Sequence, residues 1–138
     1  MLSKLLFGIA ALLLIGGPVI GLAQGKSQTG GLDAFIQHWD SDHDGTLSLD
    51  EVKKAADARF EALDRDHDGT LERKELGGAV TAKEFAESDA DKDRTLDKKE
   101  YETLVEKRFR AADRDHDGTL DKKELSSRAG KALLRLLH

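Results

Sequence analysis

The chain has no cysteine among its 138 residues, and it has only one proline, one methionine, one tryptophan and one tyrosine. The absence of cysteine excludes disulfides, a thiol nucleophile, a cysteine-based zinc site and a lipid-modified cysteine. With 36% charged residues and few aromatics, the chain can bury only a modest core. We therefore expect another source of stability, which disulfides cannot provide.

The chain also lacks the features of several functional classes. Its net charge is −5 and it has no basic stripe, which argues against nucleic acid as a partner. No Ser–His–Asp arrangement, phosphate-binding loop or isolated carboxylate pair stands out, so we do not expect an enzyme. Most of the carboxylates fall instead into repeated segments.

Residues 1–23 have the pattern of a signal peptide. Lys4 precedes an apolar run, and Gly21 and Ala23 supply small residues at positions −3 and −1 of a cleavage site. We predict cleavage after Ala23 and a periplasmic or secreted protein. The alternative is an uncleaved anchor helix, because the apolar segment could nearly span a bilayer despite an internal Gly-Gly-Pro. Residues 24–31 are polar and contain glycine, which predicts a flexible leader.

The remaining chain, residues 32–138, is built on an internal repeat. Four twelve-residue segments align without gaps, and each has Asp at positions 1, 3 and 5, Thr at 7, Leu at 8 and Glu at 12. Because the period is so regular, we interpret the four segments together and not residue by residue. The segments are loop 1 (residues 40–51), loop 2 (64–75), loop 3 (89–100) and loop 4 (113–124).

The spacing within each loop suits a hard divalent cation. Such an ion takes six to eight oxygen ligands at about 2.3–2.6 Å. Carboxylates at positions 1, 3 and 5 converge as the backbone curls, position 7 offers its backbone carbonyl, and the Glu at position 12 reaches back with both oxygens. Glycine at position 6 allows a sharp turn with positive φ. Bound metal is thus the expected source of extra stability.

Loop 1 matches a known motif through Asp40, Asp42, Asp44, Gly45 and Thr46 together with the closing Glu51. These residues and their equivalents in the other loops resemble the EF-hand calcium-binding superfamily. The resemblance implies a helix–loop–helix unit around each loop and Ca²⁺ as the ion, up to four ions in all. The signal peptide and short spacing make the chain similar to small bacterial secreted EF-hand proteins.

The expected fold is all-α, a compact bundle of four tandem EF-hand helix–loop–helix units with short, partly shared helices. The expected metal ligands are Asp40, Asp42, Asp44, Thr46, Glu51, Asp64, Asp66, Asp68, Thr70, Glu75, Asp89, Asp91, Asp93, Thr95, Glu100, Asp113, Asp115, Asp117, Thr119 and Glu124. The residues at position 9, expected to act through a bridging water, are Ser48, Glu72, Asp97 and Asp121.

The helices between loops are predicted to be shared. Only twelve or thirteen residues separate one loop from the next, and an uninterrupted helical stripe of apolar residues fills each of the first and last connections. A shared helix holds its two loops at opposite ends, so loops 1 and 2 cannot pair. Gly77 and Gly78 break the middle connection, and Thr81 with Glu84 predicts a capping box. Loop 3 can then pair with loop 1 or loop 2; the sequence leaves both open.

Loop 3 departs from the pattern because Arg94 replaces glycine at position 6. A non-glycine residue at positive φ costs on the order of 1 kcal/mol, and Arg94 also adds positive charge near the ion. We predict that loop 3 binds most weakly. His43, His67 and His116 occupy position 4, where a transition-metal role is the less favoured alternative to a solvent-facing one.

Several roles for the bound calcium remain open. The first is an extracytoplasmic Ca²⁺ buffer or calcium-stabilised binding protein. The second is a Ca²⁺ sensor that exposes an apolar surface to a protein or membrane partner, for which the Leu-rich helix predicted over residues 125–138 is the candidate surface. Calmodulin-type sensors use Met-rich grooves, and this chain has only Met1. A docking module with dockerin-type repeats is a third class, but such repeats lack a helix before the loop. No membrane contact is expected unless the signal segment stays uncleaved.

Overall fold

The structure, a computed structural model, describes residues 29–138. The predicted signal peptide, residues 1–23, and the predicted leader up to residue 28 lie outside the described residues. Helix α1 begins at Thr29, so the last three residues of the predicted leader form its first turn. Within the described part, no helix combines the length and the apolar character needed to cross a membrane.

The described residues are mostly helical, as predicted, with two short antiparallel sheets that the prediction lacked. The helices are α1 (Thr29–Trp39), α2 (Leu49–Leu63), α3 (Ala82–Ser88), α4 (Lys98–Ala112), α5 (Lys122–Leu125) and α6 (Arg128–Leu137). The strands are β1 (Leu47–Ser48), β2 (Thr70–Glu72), β3 (Thr95–Asp97) and β4 (Thr119–Leu120).

Two helices are shared between loops, which confirms that prediction. Helix α2 runs from loop 1 into loop 2, and α4 runs from loop 3 into loop 4. Each has 15 residues and is therefore about 22 Å long. Each begins with a capping box. The side chain at loop position 9 accepts a hydrogen bond from the N–H of position 12, and the Glu side chain at position 12 accepts one from the N–H of position 9.

The two sheets pair loops that are not joined by a shared helix. Strand β1 of loop 1 pairs with β4 of loop 4, and β2 of loop 2 pairs with β3 of loop 3. In the second sheet Leu71 lies opposite Leu96. Loop 3 therefore pairs with loop 2, one of the two arrangements that the sequence left open, and loops 1 and 2 do not pair.

Two connections differ from the predicted helices. Residues 73–80, which follow strand β2 and include the end of loop 2, form turns and bends instead of a helix, and Gly77 and Gly78 both have positive φ there. The expected helix over residues 125–138 is broken at Ser126 and Ser127: the first caps α5 and the second caps α6. The predicted capping box of Thr81 and Glu84 is present at the start of α3.

The core lies between α2, α4 and α6. Tyr101 of α4 is fully buried, and its hydroxyl donates to the Leu136 carbonyl of α6. Gly130 lies so close to the Glu124 carbonyl that an added Cβ would be only 2.2 Å from that oxygen. Leu133, Leu136 and Leu137 are buried, so the apolar face of α6, expected as a candidate partner surface, covers the core in this structure.

The position-8 leucines anchor all four loops in this core. Each of them is completely buried. The leucines are Leu47, Leu71, Leu96 and Leu120.

Candidate metal centres

Each loop gathers carboxylates into one cluster. In every cluster three side chains each offer an oxygen, and these oxygens lie within 4.8 Å of one another. The clusters are Asp40, Asp42 and Glu51 in loop 1; Asp64, Asp66 and Asp68 in loop 2; Asp89, Asp91 and Glu100 in loop 3; and Asp113, Asp115 and Glu124 in loop 4. Oxygen clusters of this kind are what a hard cation binds.

The position-1 aspartates are held at the ends of the preceding helices. The Asp64 N–H donates to the Phe60 carbonyl, which ends α2. One oxygen of the Asp64 carboxylate accepts from the Gly69 N–H at position 6, at 3.0 Å. The same two bonds recur in the other three loops, where the position-1 residues are also buried. Each buried carboxylate is thereby aimed into its own loop.

The Glu at position 12 closes three of the loops. In loop 1, Glu51 Oε1 accepts from the Ser41 N–H at 2.6 Å, and Oε2 accepts from the Ser48 N–H at 2.9 Å. This one carboxylate therefore ties the second residue of the loop to the ninth. Loops 3 and 4 repeat both bonds through Glu100 and Glu124.

Loop 2 is incomplete in this respect. Glu75 accepts from the Glu72 N–H at 2.9 Å, but it makes no bond to the second residue of its loop and is absent from the carboxylate cluster. The physical reason lies in the turns that follow: with no helix after loop 2, the position-12 side chain lacks the rigid first turn that orients it elsewhere. Loop 2 therefore gathers its position-5 carboxylate, Asp68, where the other three clusters have the position-12 Glu.

The position-7 threonines have a role that the sequence prediction missed. Both the N–H and the hydroxyl of Thr46 donate to Asp44 Oδ1, at 2.8 and 2.7 Å. Equivalent pairs are formed by the other three threonines. The two bonds thus restrain the rotamer of the position-5 aspartate, and among these aspartates Asp68 alone belongs to one of the four carboxylate clusters of the described residues. The ability of threonine to bond locally to the backbone and its neighbours was the available signal.

Three of the four position-9 residues act in the structure as helix caps. Ser48, Asp97 and Asp121 each accept from the position-12 N–H at the start of the next helix. Glu72 instead forms an ion pair with Lys74 at 2.5 Å. The sequence analysis expected these residues to bind the ion through a bridging water. It did not predict that three of them also cap the next helix.

Backbone strain distinguishes loop 3. Positions 4 and 6 have positive φ in every loop. The histidines at position 4 in loops 1, 2 and 4 suit this conformation, since His is enriched there among non-glycine residues. Loop 3 has Lys92 at position 4 (φ 63°) and Arg94 at position 6 (φ 72°). Loop 3 therefore holds two strained, positively charged residues where the other loops have histidine and glycine.

No histidine belongs to any of the four carboxylate clusters in residues 29–138. The conformational role of position 4 accounts for His43, His67 and His116 without a transition metal.

Crowded carboxylates perturb the position-3 aspartates. The hydrogen bond that protonated Asp42 donates to the Asp40 carboxylate, followed by burial, raises the pKa of Asp42 above its ordinary value. Burial, and then the charge of Asp68, raises the pKa of Asp66. By contrast, burial opposes ionisation of Asp40, but the hydrogen bonds that its carboxylate accepts, first from the Gly45 N–H and then from Asp42, Asp44 and His43, together outweigh burial and lower its pKa. Each loop thus concentrates negative charge that a cation would neutralise.

Loop 4 offers a specific test of fit for a cation. Asp113 Oδ1 is buried and has no hydrogen-bond partner among the described residues. A buried carboxylate oxygen without a donor is costly, and a cation held with Asp115 and Glu124 would satisfy it. The donor set, which consists only of oxygens, fits Ca²⁺.

Comparison with known protein families agrees with this geometry. A family model described as EF hand matches residues 56–81 and 104–127, which contain loops 2 and 4 with the ends of their preceding helices. No curated protein matches the chain.

Proposed function

We propose that all four loops bind Ca²⁺ and that the protein is a non-enzymatic, extracytoplasmic calcium buffer or calcium-stabilised binding protein. The two EF-hand matches support calcium binding, and they confirm the resemblance to the EF-hand calcium-binding superfamily that the loop motif predicted. The buried, unpartnered Asp113 Oδ1 inside an all-oxygen cluster is the observation that best supports this proposal. The extracytoplasmic location rests on the signal-peptide pattern of residues 1–23.

The four sites are proposed to be unequal. Loops 1 and 4 form one sheet, and both have clusters that include the position-12 Glu. Loops 2 and 3 form the other sheet; loop 2 lacks Glu75 in its cluster, and loop 3 carries Lys92 and Arg94 at positive φ. We expect two tighter and two weaker sites, with loop 3 the weakest because strain and positive charge act together there.

A calcium sensor is the second candidate, favoured by the position of α6. Gly130 of α6 lies against the backbone carbonyl of Glu124, whose side chain belongs to the loop 4 cluster. A shift of Glu124 on ion binding would therefore reach the helix that covers the core with Leu133 and Leu136. Release of that helix would expose an apolar surface to a protein or membrane partner.

Calorimetric titration of the full chain with Ca²⁺, with an apolar dye added in parallel, tests the proposal and separates the two roles. Heat of binding for about four ions, with dye fluorescence that falls or stays constant, supports a buffer or a calcium-stabilised protein. The same stoichiometry with a rise in dye fluorescence supports the sensor. A titration without heat overturns both.

A further inference from the structure

A cavity of about 610 Å³ lies between the turn after loop 2, helix α4 and helix α6, away from the four carboxylate clusters. Its lining is strongly basic although the protein is acidic overall. Glu84 is the one acidic residue among the lining residues. The basic residues that line it are Arg108, Arg128, Lys131 and Arg135. We call it the basic cavity.

Arg108 forms the inner wall of the basic cavity and neutralises the charge of Glu84, its single acidic residue. This arginine is 9% exposed. Its guanidinium donates to Glu84 Oε1 at 3.1 Å and to Oε2 at 3.2 Å, and it also donates to the carbonyls of Ala79 and Ala132. Because Arg108 and Glu84 neutralise each other, the charge of the cavity is set by the remaining cations.

The remaining three cations share one face of α6. Arg128, Lys131 and Arg135 are spaced at i, i+3 and i+7, and all are exposed. None of them pairs with a carboxylate or donates a side-chain hydrogen bond to the part of the chain that the structure describes. Residues 125–138 contain no Asp or Glu. Several lysines on α2 and α4 do meet acids, as Lys53 meets Glu106 at 3.5 Å.

We infer that the basic cavity binds a phosphate group, carried either by a small soluble molecule or by a lipid headgroup. Three unpaired cations around a concave site would balance a dianion, and arginine guanidinium groups bind phosphate oxygens through paired N–H donors. The pair of buried Arg108 with half-buried Glu84 keeps the wall rigid, so the site exists before the ligand arrives. The cavity has room for the organic group to which the phosphate is attached.

The test uses the full chain at saturating calcium with two probes. The first is glucose 6-phosphate, whose calcium salt is soluble, titrated by calorimetry. The second is a set of vesicles of phosphatidylglycerol and phosphatidylcholine, followed by co-sedimentation. The variant R128Q/K131Q removes two cations whose side chains make no internal contacts with carboxylates. The matched control K54Q/R110Q removes one exposed lysine and one exposed arginine outside the cavity and outside the four loops, and it gives the same net charge.

If the inference is right, R128Q/K131Q weakens probe binding by about tenfold or more and K54Q/R110Q leaves it nearly unchanged. That pattern with glucose 6-phosphate identifies a soluble ligand, and the same pattern only with vesicles identifies a lipid headgroup. Failure of both probes to bind the parent chain, or equal weakening in the two variants, would overturn it. Calcium titration of the same variants checks that their loops are intact, so a failure here is separate from that of calcium binding.

Discussion

Leu47 of loop 1 lies directly opposite Leu120 of loop 4 in an antiparallel pair, although most of the chain separates them in sequence. The second sheet joins loop 2 to loop 3, and the shared helices α2 and α4 join loop 1 to loop 2 and loop 3 to loop 4. The four loops therefore form a closed ring of contacts, in which every loop touches one neighbour through a sheet and another through a helix.

Disabling loop 1 is expected to weaken loop 4. The substitution Glu51→Gln removes the carboxylate that ties Ser41 to Ser48 and so loosens the strand that pairs with β4. We expect loop 1 to lose its ion at moderate calcium and the affinity of loop 4 to fall about five- to tenfold. The Gly118 amide signal, followed by NMR during a calcium titration, measures the loop 4 affinity.

The control for this change is Asp50→Asn. Asp50 is the exposed neighbour of Glu51 and lies outside the cluster, so its loss alters the net charge equally. An unchanged loop 4 in Glu51→Gln, or an equal change in Asp50→Asn, would show that the β1–β4 sheet does not couple the two sites.

Replacing Arg94 is expected to strengthen loop 3. Arg94→Gly relieves the cost of a positive φ, about 1 kcal/mol, and removes a cation near the carboxylate cluster. Arg94→Gln removes only the charge. We expect the loop 3 affinity for Ca²⁺ to rise in both variants and to rise further in Arg94→Gly. Equal affinities for the two would mean that charge alone weakens loop 3, and no gain in either would contradict the predicted order of the sites.

The calcium affinity is expected to fall as the pH is lowered. The pKa of Asp42 is raised above its ordinary value by its hydrogen bond with Asp40 and by burial, so Asp42 takes up a proton earlier on acidification than an ordinary aspartate. The ion must displace that proton, so binding weakens as the pH falls through the raised pKa. Calorimetry at about pH 7 and about pH 4.5 measures the change.

The loop 1 variant Asp42→Asn cannot take up this proton. We expect its loop 1 to bind Ca²⁺ more weakly than the parent at every pH. This affinity should, however, change less with pH than the affinity of the parent does. A pH dependence as steep as the parent's would show that another group controls the titration.

Gly130 is expected to be essential for the docking of α6. A Cβ at this position would meet the Glu124 carbonyl at 2.2 Å and Leu125 Cα at 2.5 Å, so Gly130→Ala must push α6 away from α5. We expect a loss of roughly 1–3 kcal/mol in the free energy of unfolding, measured by urea denaturation with calcium present. Gly31→Ala is the matched control, since nothing lies within 4 Å of its added Cβ, and it should be neutral or slightly stabilising. Similar stabilities for the two variants would contradict the tight packing of α6.

The loops could be located from the sequence because a cation imposes fixed offsets on its ligands. Residues from Asp40 to Glu51 could be assigned to loop positions one by one in this way, and Leu47, the leucine of the repeat at position 8, lies buried in the core. The shared helices followed from the short spacing, since no room remained for a second helix.

The pairing of the loops could not be predicted, because it depends on how α2 and α4 pack together. The sequence analysis recognised Gly77 and Gly78 as a helix stop. It did not predict that the helix before this stop is absent, so that loop 2 ends in turns. The sequence analysis also did not predict that Asp97 caps α4. Aspartate is favoured both as a metal ligand and as a helix cap, so the residue type alone does not reveal the second role.

The most direct test of the central claim is an NMR titration of the full chain with Ca²⁺ that follows the four position-6 amides. Each of these N–H groups donates to the buried position-1 aspartate of its own loop, at 2.9 to 3.2 Å, so each reports one cluster. The reporters are Gly45, Gly69, Arg94 and Gly118. If four loops bind calcium, all four signals shift and saturate, with Gly45 and Gly118 before Gly69 and Arg94. Signals that stay in place at millimolar calcium would contradict the account.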